Sequence, residues 1–441
     1  MVRWADASSG VKRAVPYSAT VARPAARAPM SSPQIPPHQL APPVSERLIL
    51  LLLATVQFTH IMDFMVMMPL GPQLMRVFQI EPSQFSMLVA SYTFSAAVAG
   101  LVGAFFVDRF DRKTALLFCY LGFVGGTLAC ALAPTYETLL AARLISGAFG
   151  GVAGSVVLTI VGDVVPLERR AGAIGIVMGS FAFASVAGVP AGLWLAAHWS
   201  WHAPFLLIVA LGVCVWLWCL MRLPSLRGHL IAEHAGRRTA QAWDGLKELL
   251  SNRNTLTALA FMSFLVLGHF MIIPFLSPSL VANAGLHEHE LSWFYLAGGL
   301  ASLSTSALVG RLADRYGRLK LFCVTILGAL APIYIITHQD RTPLAMVMFL
   351  AVLFFVFAGG RFIPGQAIIT ASVPPKLRGS FMSLNSSVRD LAAGGASLLG
   401  GHIIARDAIT GKILHFPTLG WIAIGASLVS VVLASRVKPV S

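Results

Sequence analysis

Charge is scarce in this chain. Asp, Glu, Lys and Arg make up 11% of its 441 residues, against about a quarter in ordinary soluble domains, so a water-soluble body is excluded for most of its length. Cysteine is scarcer still. Cys119, Cys130, Cys214, Cys219 and Cys323 all fall inside apolar runs, and no loop holds a Cys-x-x-Cys pair. That excludes a disulfide framework and a zinc site, and leaves buried, inert thiols as the expectation. No Walker A pattern is present, so ATP is not a direct drive. No span carries a metal cluster or a nucleophile–base pattern, so no enzyme activity, metal or cofactor is expected; His287 and His289 form only a His-x-His in a loop. Residues 1–45 lack an apolar stretch, which excludes a cleaved signal peptide. They are rich in Pro, Ala, Ser and Arg and are expected to be a disordered tail. Met30, just before SSPQIPPHQLAPPVSER, is the expected true start.

What remains is apolar: 56% of residues are hydrophobic and the mean hydropathy is +0.76. The apolar residues come in long runs, and about 20 residues of helix span the roughly 30 Å hydrocarbon core. We read spans at 47–70, 84–107, 114–133, 138–163, 173–197, 203–222, 255–281, 290–312, 319–338, 344–371, 380–403 and 417–435. The seventh is interrupted by Pro274 and Pro278, which neighbouring helices tolerate by re-satisfying the freed carbonyls. The expectation is an all-α membrane protein of twelve transmembrane helices, monomeric, with the lipid bilayer as its surroundings.

The net charge of +14 raises nucleic acid as a partner, but the positions argue against it. Lys and Arg sit between apolar runs rather than along one solvated face. Alternate loops hold only Arg76, Arg341, Arg406 and Lys412, while Arg143, Arg361 and Arg389 lie deep within spans; all other Lys and Arg fall in the remaining loops, at the span ends that border them, and in the two tails. The positive-inside rule then predicts both termini in the cytoplasm of a bacterial inner membrane.

The longest loop, 223–254, divides the spans into halves at 46–222 and 255–436, leaving a short tail at 437–441. Trp243, Leu246, Leu249 and Leu250 recur in that loop at helical spacing, which fits an amphipathic surface helix or a solvated linker helix. The halves repeat each other. VDRFDRK (107–113) and ADRYGRLK (313–320) offset Asp108 and Asp314 by 206; Pro166 and Pro374 are offset by 208, and Pro69 and Pro274 by 205. Duplicated six-helix bundles are how many transporters build a midplane site between repeats.

These repeated loops carry a resemblance to the major facilitator superfamily, whose loop signature reads G-x-x-x-D-R-x-G-R-K. The second copy has Gly310, Asp314, Arg315, Gly317 and Arg318 in place. The first keeps Asp108, Arg109, Arg112 and Lys113, but has Ala104 and Asp111 where the signature has glycine; Asp tolerates left-handed geometry better than most residues. The resemblance implies the major facilitator fold, with two pseudo-symmetric six-helix bundles, and a cluster that latches the cytoplasmic side when the outside is open. Gly188, Pro190 and Gly192, followed by Trp201-His202-Ala203-Pro204-Phe205, resemble elements of the bacterial drug- and sugar-efflux (arabinose-efflux-permease-like) branch, with His202 in place of the usual Arg. The related antiporter signature is only partly met, because Val189 intrudes between Gly188 and Pro190. Gly188, Pro190 and Gly192 are expected to act as a hinge in the fifth span.

An ionisable group at mid-bilayer costs about 3 kcal/mol or more, so each one needs a reason. Gln57, His60 and Asp63 are spaced by three on the first span and are expected to face a cavity, with Asp63 as a proton carrier. Arg143, in AARLISG, resembles the family's R-x-x-x-G element, which implies pairing with a proton-carrying carboxylate. Arg361 has the same local spacing, yet the repeat offset aligns it near Ala153. Arg389 and Asp390 are sequence neighbours on different helix faces, so each is expected to need its own partner. His269 lies one residue from the repeat partner of Asp63, and imidazole ordinarily titrates near neutral pH. A proton-coupled exporter of a small organic molecule is the leading expectation. A uniporter or importer, and a non-transporting sensor that kept the fold, are the alternatives.

Overall fold

The computed structural model describes residues 45–227, 247–374 and 377–440; the N-terminal tail and most of the 223–254 loop, including Trp243 and Leu246, lie outside them. Among the described residues, eleven helical segments are long and apolar enough to cross a bilayer: Glu46–Met67, Pro82–Gly103, Arg112–Ala131, Tyr136–Val164, Gly172–His198, His202–Arg222, Arg253–Ala282, Glu290–Tyr316, Arg318–His338, Leu344–Ala371 and Phe416–Arg436. A further helix, Arg378–Ile403, takes the eleventh place in chain order. Its 26 residues would reach about 39 Å at ~1.5 Å per residue, but Arg389, Asp390 and its many Ser and Gly residues make it the most polar of the set. We number these helices one to twelve in that order. In lipid each must satisfy its backbone internally, which is why the apolar runs are helices.

Breaks fall where the sequence forces them. Proline lacks an N–H and clashes with the carbonyl four residues earlier. Ahead of Pro190 the fifth helix widens into a π turn, Ala184–Gly188. The tenth does the same at Phe355–Gly359, ahead of Pro364. Such bulges absorb a kink without leaving a buried carbonyl unpaired. Gly188 and Gly192 face the first helix, where an added Cβ would lie 3.1 Å from Met62 and 2.7 Å from Val66.

Apolar side chains sort into three large clusters, and their distribution describes the architecture. One cluster is shared by both halves and contains Met67, Phe85, Phe205, Phe275, Phe294, Phe354 and Phe416. Two others are private. Leu53, Phe123, Val157 and Cys219 belong to the first half, and Phe261, Phe322, Phe381 and Ala434 to the second. The private cores lie toward the face with the basic loops; the shared core lies toward the opposite face.

The boundary between halves is crossed by helix two against helix eleven and by helix five against helix eight. A Cβ on Gly401 would be 3.2 Å from the carbonyl of Pro82, one on Gly394 would be 2.6 Å from the Thr93 hydroxyl, and one on Gly299 would be 2.8 Å from the Ser185 carbonyl. Beyond these crossings Arg76 pairs with Glu288 from the other half. At the basic face, by contrast, a Cβ on Gly172, Gly175 or Gly179 of helix five or on Gly310 of helix eight would meet nothing within 4 Å among the described residues. The bundles are therefore joined at the face opposite the basic loops and splayed at the basic one.

Two sequence expectations change here. Asp111 is not left-handed: its φ is −54° and it caps the third helix by accepting from the Lys113 N–H. The left-handed turn occurs in the second copy only, at Gly317 with φ 95°, because a side-chain cap replaces a glycine turn in the first. Leu249, read as part of a surface-lying apolar stripe, is instead buried in the private core of the second half, while Leu250 is exposed.

Helices two and four touch backbone to backbone through Gly147 and Gly151, and a Cβ at Gly151 would lie 2.6 Å from the Ala96 Cα. Small residues allow such approach in membranes. Gly151→Leu should lower the unfolding midpoint in detergent, at a cost of about 1–3 kcal/mol. Gly125→Leu, where nothing lies within 4 Å, should leave it near wild type. Equal midpoints for the two would refute this packing.

Candidate transport site

The charged residues foreseen within the spans form three separate groups. The first lies wholly inside the N-terminal bundle. Arg143 Nη1 donates to Asp63 Oδ2 at 2.8 Å, and both side chains are fully buried. Thr127 donates to Asp63 Oδ1 at 3.2 Å, and the Arg143 guanidinium sits 4.2 Å above the Tyr92 ring. Helices one, two, three and four thus meet at one ion pair. A buried pair is held only when hydrogen bonds serve the remaining lone pairs and protons; Thr127 and the Tyr92 π face supply part of that.

Gln57, His60 and Asp63 do not share one cavity-facing stripe. Three-residue steps on a helix with 3.6 residues per turn drift round it. Asp63 turns to helices three and four. His60 packs against Phe123 at 5.6 Å and Tyr92 at 6.0 Å, over Gly150, where a Cβ would be 2.7 Å from the imidazole. Both His60 nitrogens, Gln57 Oε1 and the Tyr92 hydroxyl are buried without a hydrogen-bond partner among the described residues.

The second group lies in the C-terminal bundle. Arg361, fully buried, donates to the Ser427 hydroxyl at 2.8 Å. His269 stands between the rings of Phe362 (5.1 Å), Phe270 (5.7 Å) and Phe354 (6.2 Å). Phe270 in turn meets Phe64 of the first helix at 5.9 Å, across the boundary between bundles.

The third group corrects an expectation. Arg389 and Asp390 do not need separate partners: the Arg389 Nε donates to Asp390 Oδ1 at 3.2 Å, and Nη2 reaches the Ser386 hydroxyl at 3.4 Å. A long guanidinium stem folds back along its helix where a short carboxylate cannot reach away. This pair is partly exposed, and its charges act on His60 and Tyr92 of the other bundle.

The loop motifs are at the splayed face. Arg112 is buried against Asp163 at 3.0 Å, and Lys113 donates to the Leu220 carbonyl at 2.9 Å. Arg109 lies in a short 3₁₀ turn, Val107–Arg109; the side chain of Asp108 lies outside the described residues. Asp111 binds the Ser225 hydroxyl, the Leu226 N–H and Arg227. Burial pushes its carboxyl up, but these bonds and the Lys113 N–H outweigh that and hold it below the usual carboxylate range. In the second copy Arg318 donates to the Ala367 carbonyl at 3.3 Å and Arg315 lies over Tyr316. Asp314 is exposed and has no bond among the described residues. His202, at the position of the family's arginine, bonds the Ala131 carbonyl at 2.6 Å and so ties helix six to the end of helix three.

Tyr92 and Thr127 were not foreseen, nor was the Arg76–Glu288 closure. Single polar residues in apolar helices carry no spacing signal, and Arg76 and Glu288 are 212 residues apart.

The model of the Major Facilitator Superfamily matches residues 53–276 and 259–441, covering both bundles. The chain belongs to the major facilitator superfamily. It is therefore a multi-pass membrane protein of a transporter family. Among curated relatives, the uncharacterized MFS-type transporter YtbD of Bacillus subtilis (strain 168) is 24% identical over 321 residues, 72% of this chain and 78% of that protein. The inner membrane transport protein YdhP of Escherichia coli (strain K12) is 26% identical over 382 residues, 84% and 92% respectively. The fold is shared with the crystal structure of a D-xylose–proton symporter (TM-score 0.69, 15% identity, covering 89% of this chain and 97% of that one). It is also shared with a bacterial homologue of the human lysosomal transporter Spinster, inward-facing and unoccupied (TM-score 0.64, 17% identity, 89% and 95%).

Two outcomes test this superfamily member's polar anatomy. Removing one partner of a buried pair costs about 3–5 kcal/mol, because the other charge is left uncompensated. Asp63→Ala should therefore unfold at a clearly lower temperature than the Asp63→Leu, Arg143→Met double variant; additive losses would disprove the coupling. The Asp111 anchor, with its carboxyl held low, is fully present above the ordinary carboxylate range and is lost only as pH falls through the lowered value, below about 4. Amide exchange at 225–227, corrected for intrinsic rate, should stay slow at pH 5 and rise below pH 4. Asp111→Ala should speed it already at neutral pH.

Proposed function

We propose that this superfamily member is a proton-coupled secondary transporter that exports a small organic molecule by alternating access across a bacterial inner membrane, with both termini cytoplasmic. The observation that carries the proton coupling is the fully buried Asp63–Arg143 pair. A carboxylate in that position can hold either the arginine or a proton, not both with equal stability. With the proton, Arg143 loses its counter-charge; without it, the four helices are drawn onto the pair. One protonation thus changes the internal packing of the N-terminal bundle beside the shared centre. Each such charge-state change is large on the scale of a conformational equilibrium.

With the basic loops in the cytoplasm, the splayed face is the inner one and the Arg76–Glu288 side is the outer one. The inward-open form then leaves Asp314 without a bond among the described residues, in keeping with a latch that engages only when the bundles reverse their tilt. In that reversed form the Asp108–Lys113 and Asp314–Arg318 loops approach each other. Gly188, Pro190 and Gly192, with the π turn ahead of them, give helix five the bend that rocking against helix eight requires. Export is supported by the resemblance of that segment to efflux members.

Asp63→Asn keeps the shape and removes the titration. It should abolish gradient-driven substrate movement in everted vesicles while expression is unchanged; intact coupling would remove Asp63 from the mechanism. Asp314→Ala should slow turnover more than it weakens substrate binding, and a loss confined to affinity would count against the latch.

A further inference from the structure

The two bundles each bury an arginine, but they treat it differently. Arg143 has Asp63. Arg361 is equally buried, yet no Asp or Glu among the described residues pairs with it. Among the described residues its side-chain hydrogen bond goes to the neutral Ser427 hydroxyl, which is itself committed to the Ala423 carbonyl at 2.7 Å, and its guanidinium lies 6.0 Å from the centre of the Phe362 ring. Nε and Nη2 are buried without a hydrogen-bond partner among the described residues, as are the same atoms of Arg143, and so is the Nδ1 of the adjacent His269; what sets Arg361 apart is that it has no carboxylate among the described residues. A guanidinium presents its donors as a fork that matches a carboxylate, and a buried cation without an anion costs several kcal/mol. An uncompensated charge of this kind in the half that does not hold the ion pair is expensive unless something else neutralises it during the cycle.

The surroundings indicate the shape of that partner. Phe354, Phe362 and Phe270 form an apolar box about His269, and Phe270 carries the box to the boundary between bundles through Phe64. Gly268 lets helix seven lie directly against helix twelve beside Ser427: a Cβ there would lie 3.0 Å from the Ser427 hydroxyl and 3.0 Å from the Ala423 carbonyl. Binding sites for small organic molecules are mostly apolar with a few placed polar groups.

From this asymmetry we infer that the C-terminal bundle carries an organic-anion subsite, in which Arg361 holds the carboxylate of a hydrophobic monocarboxylate and the phenylalanine box around His269 holds its body. The inference rests on the transporter reading above and names the substrate class. It divides the labour between halves: the first titrates, the second recognises.

Equilibrium binding tests it without any gradient. Purified full-length protein in detergent is heated with octanoate, benzoate or indole-3-acetate, with the matching amides (octanamide, benzamide, indole-3-acetamide), and with chloride alone. At least one carboxylate should raise the unfolding midpoint, its amide should not, and chloride should not match it. Loss of a charge-assisted pair weakens binding by about ten- to a hundred-fold, so Arg361→Gln should shift the half-saturating concentration by that factor. Arg361→Lys keeps the charge without the fork; it should weaken binding less, and it carries the test if the glutamine variant does not fold. Protection by none of the carboxylates, equal protection by the amides, protection by chloride alone, or unchanged affinity in the Arg361 variants would each overturn the subsite. Carboxylate binding that survives while gradient-driven transport fails would count against proton coupling and leave the subsite standing.

Discussion

A charge placed where water cannot reach must find an opposite charge or a purpose, and the helices here are arranged around that constraint. Asp63 and Arg143 come from helices one and four, 80 positions apart. Neither would be tolerable alone at that depth. Their pairing draws in Thr127 and Tyr92 from helices three and two, so four helices converge on one polar point in an otherwise apolar bundle. Helix packing without a hydrophobic driving force between helices relies on such polar contacts and on close steric fit. Both are present: the ion pair at the centre, and Gly147 and Gly151 letting helix four lie against helix two.

The second constraint is the unequal sharing of the apolar core. Because one cluster is common to both bundles and two are private, the molecule can separate at one face without exposing the interior of either half. The shared cluster and the Arg76–Glu288 contact close the other face. Reversal requires that the shared contacts part and that new ones form between the basic loops, with each bundle moving largely as a unit. The first-copy motif is built for that: Arg112 and Asp111 are committed to their own bundle, through Asp163 and the 225–227 segment, so the loop travels with it. The second copy leaves Asp314 uncommitted.

Pseudo-symmetry is also where the halves part ways. The π turns at 184–188 and 355–359 occur in helices five and ten, at positions that the repeat does not superpose, and each precedes a proline. Two buried arginines likewise sit at unrelated repeat positions, one paired and one not. Duplication supplied the scaffold; divergence placed the chemistry.

Much was legible in the sequence. Run length against bilayer thickness placed the eleven apolar spans to within a few residues, because in hydrocarbon the backbone has no alternative to the helix. The repeated Asp-Arg loops gave the family, and scarcity of charge singled out Asp63, Arg143, Arg361, Arg389 and Asp390. Partnership was not legible. Nothing in spacing says that Asp63 meets Arg143, that Arg389 folds back onto Asp390, that Asp111 caps a helix instead of adopting a left-handed turn, or that Arg361 bonds a serine and no acid among the described residues. Local rules act over three or four residues along one helix, whereas these contacts depend on how helices tens of residues apart are rotated and tilted against each other. The sequence by itself determined which charges stand within the spans; only the tertiary structure decided which of them are buried and which are compensated, because compensation is a matter of ångströms between helices and not of order along the chain.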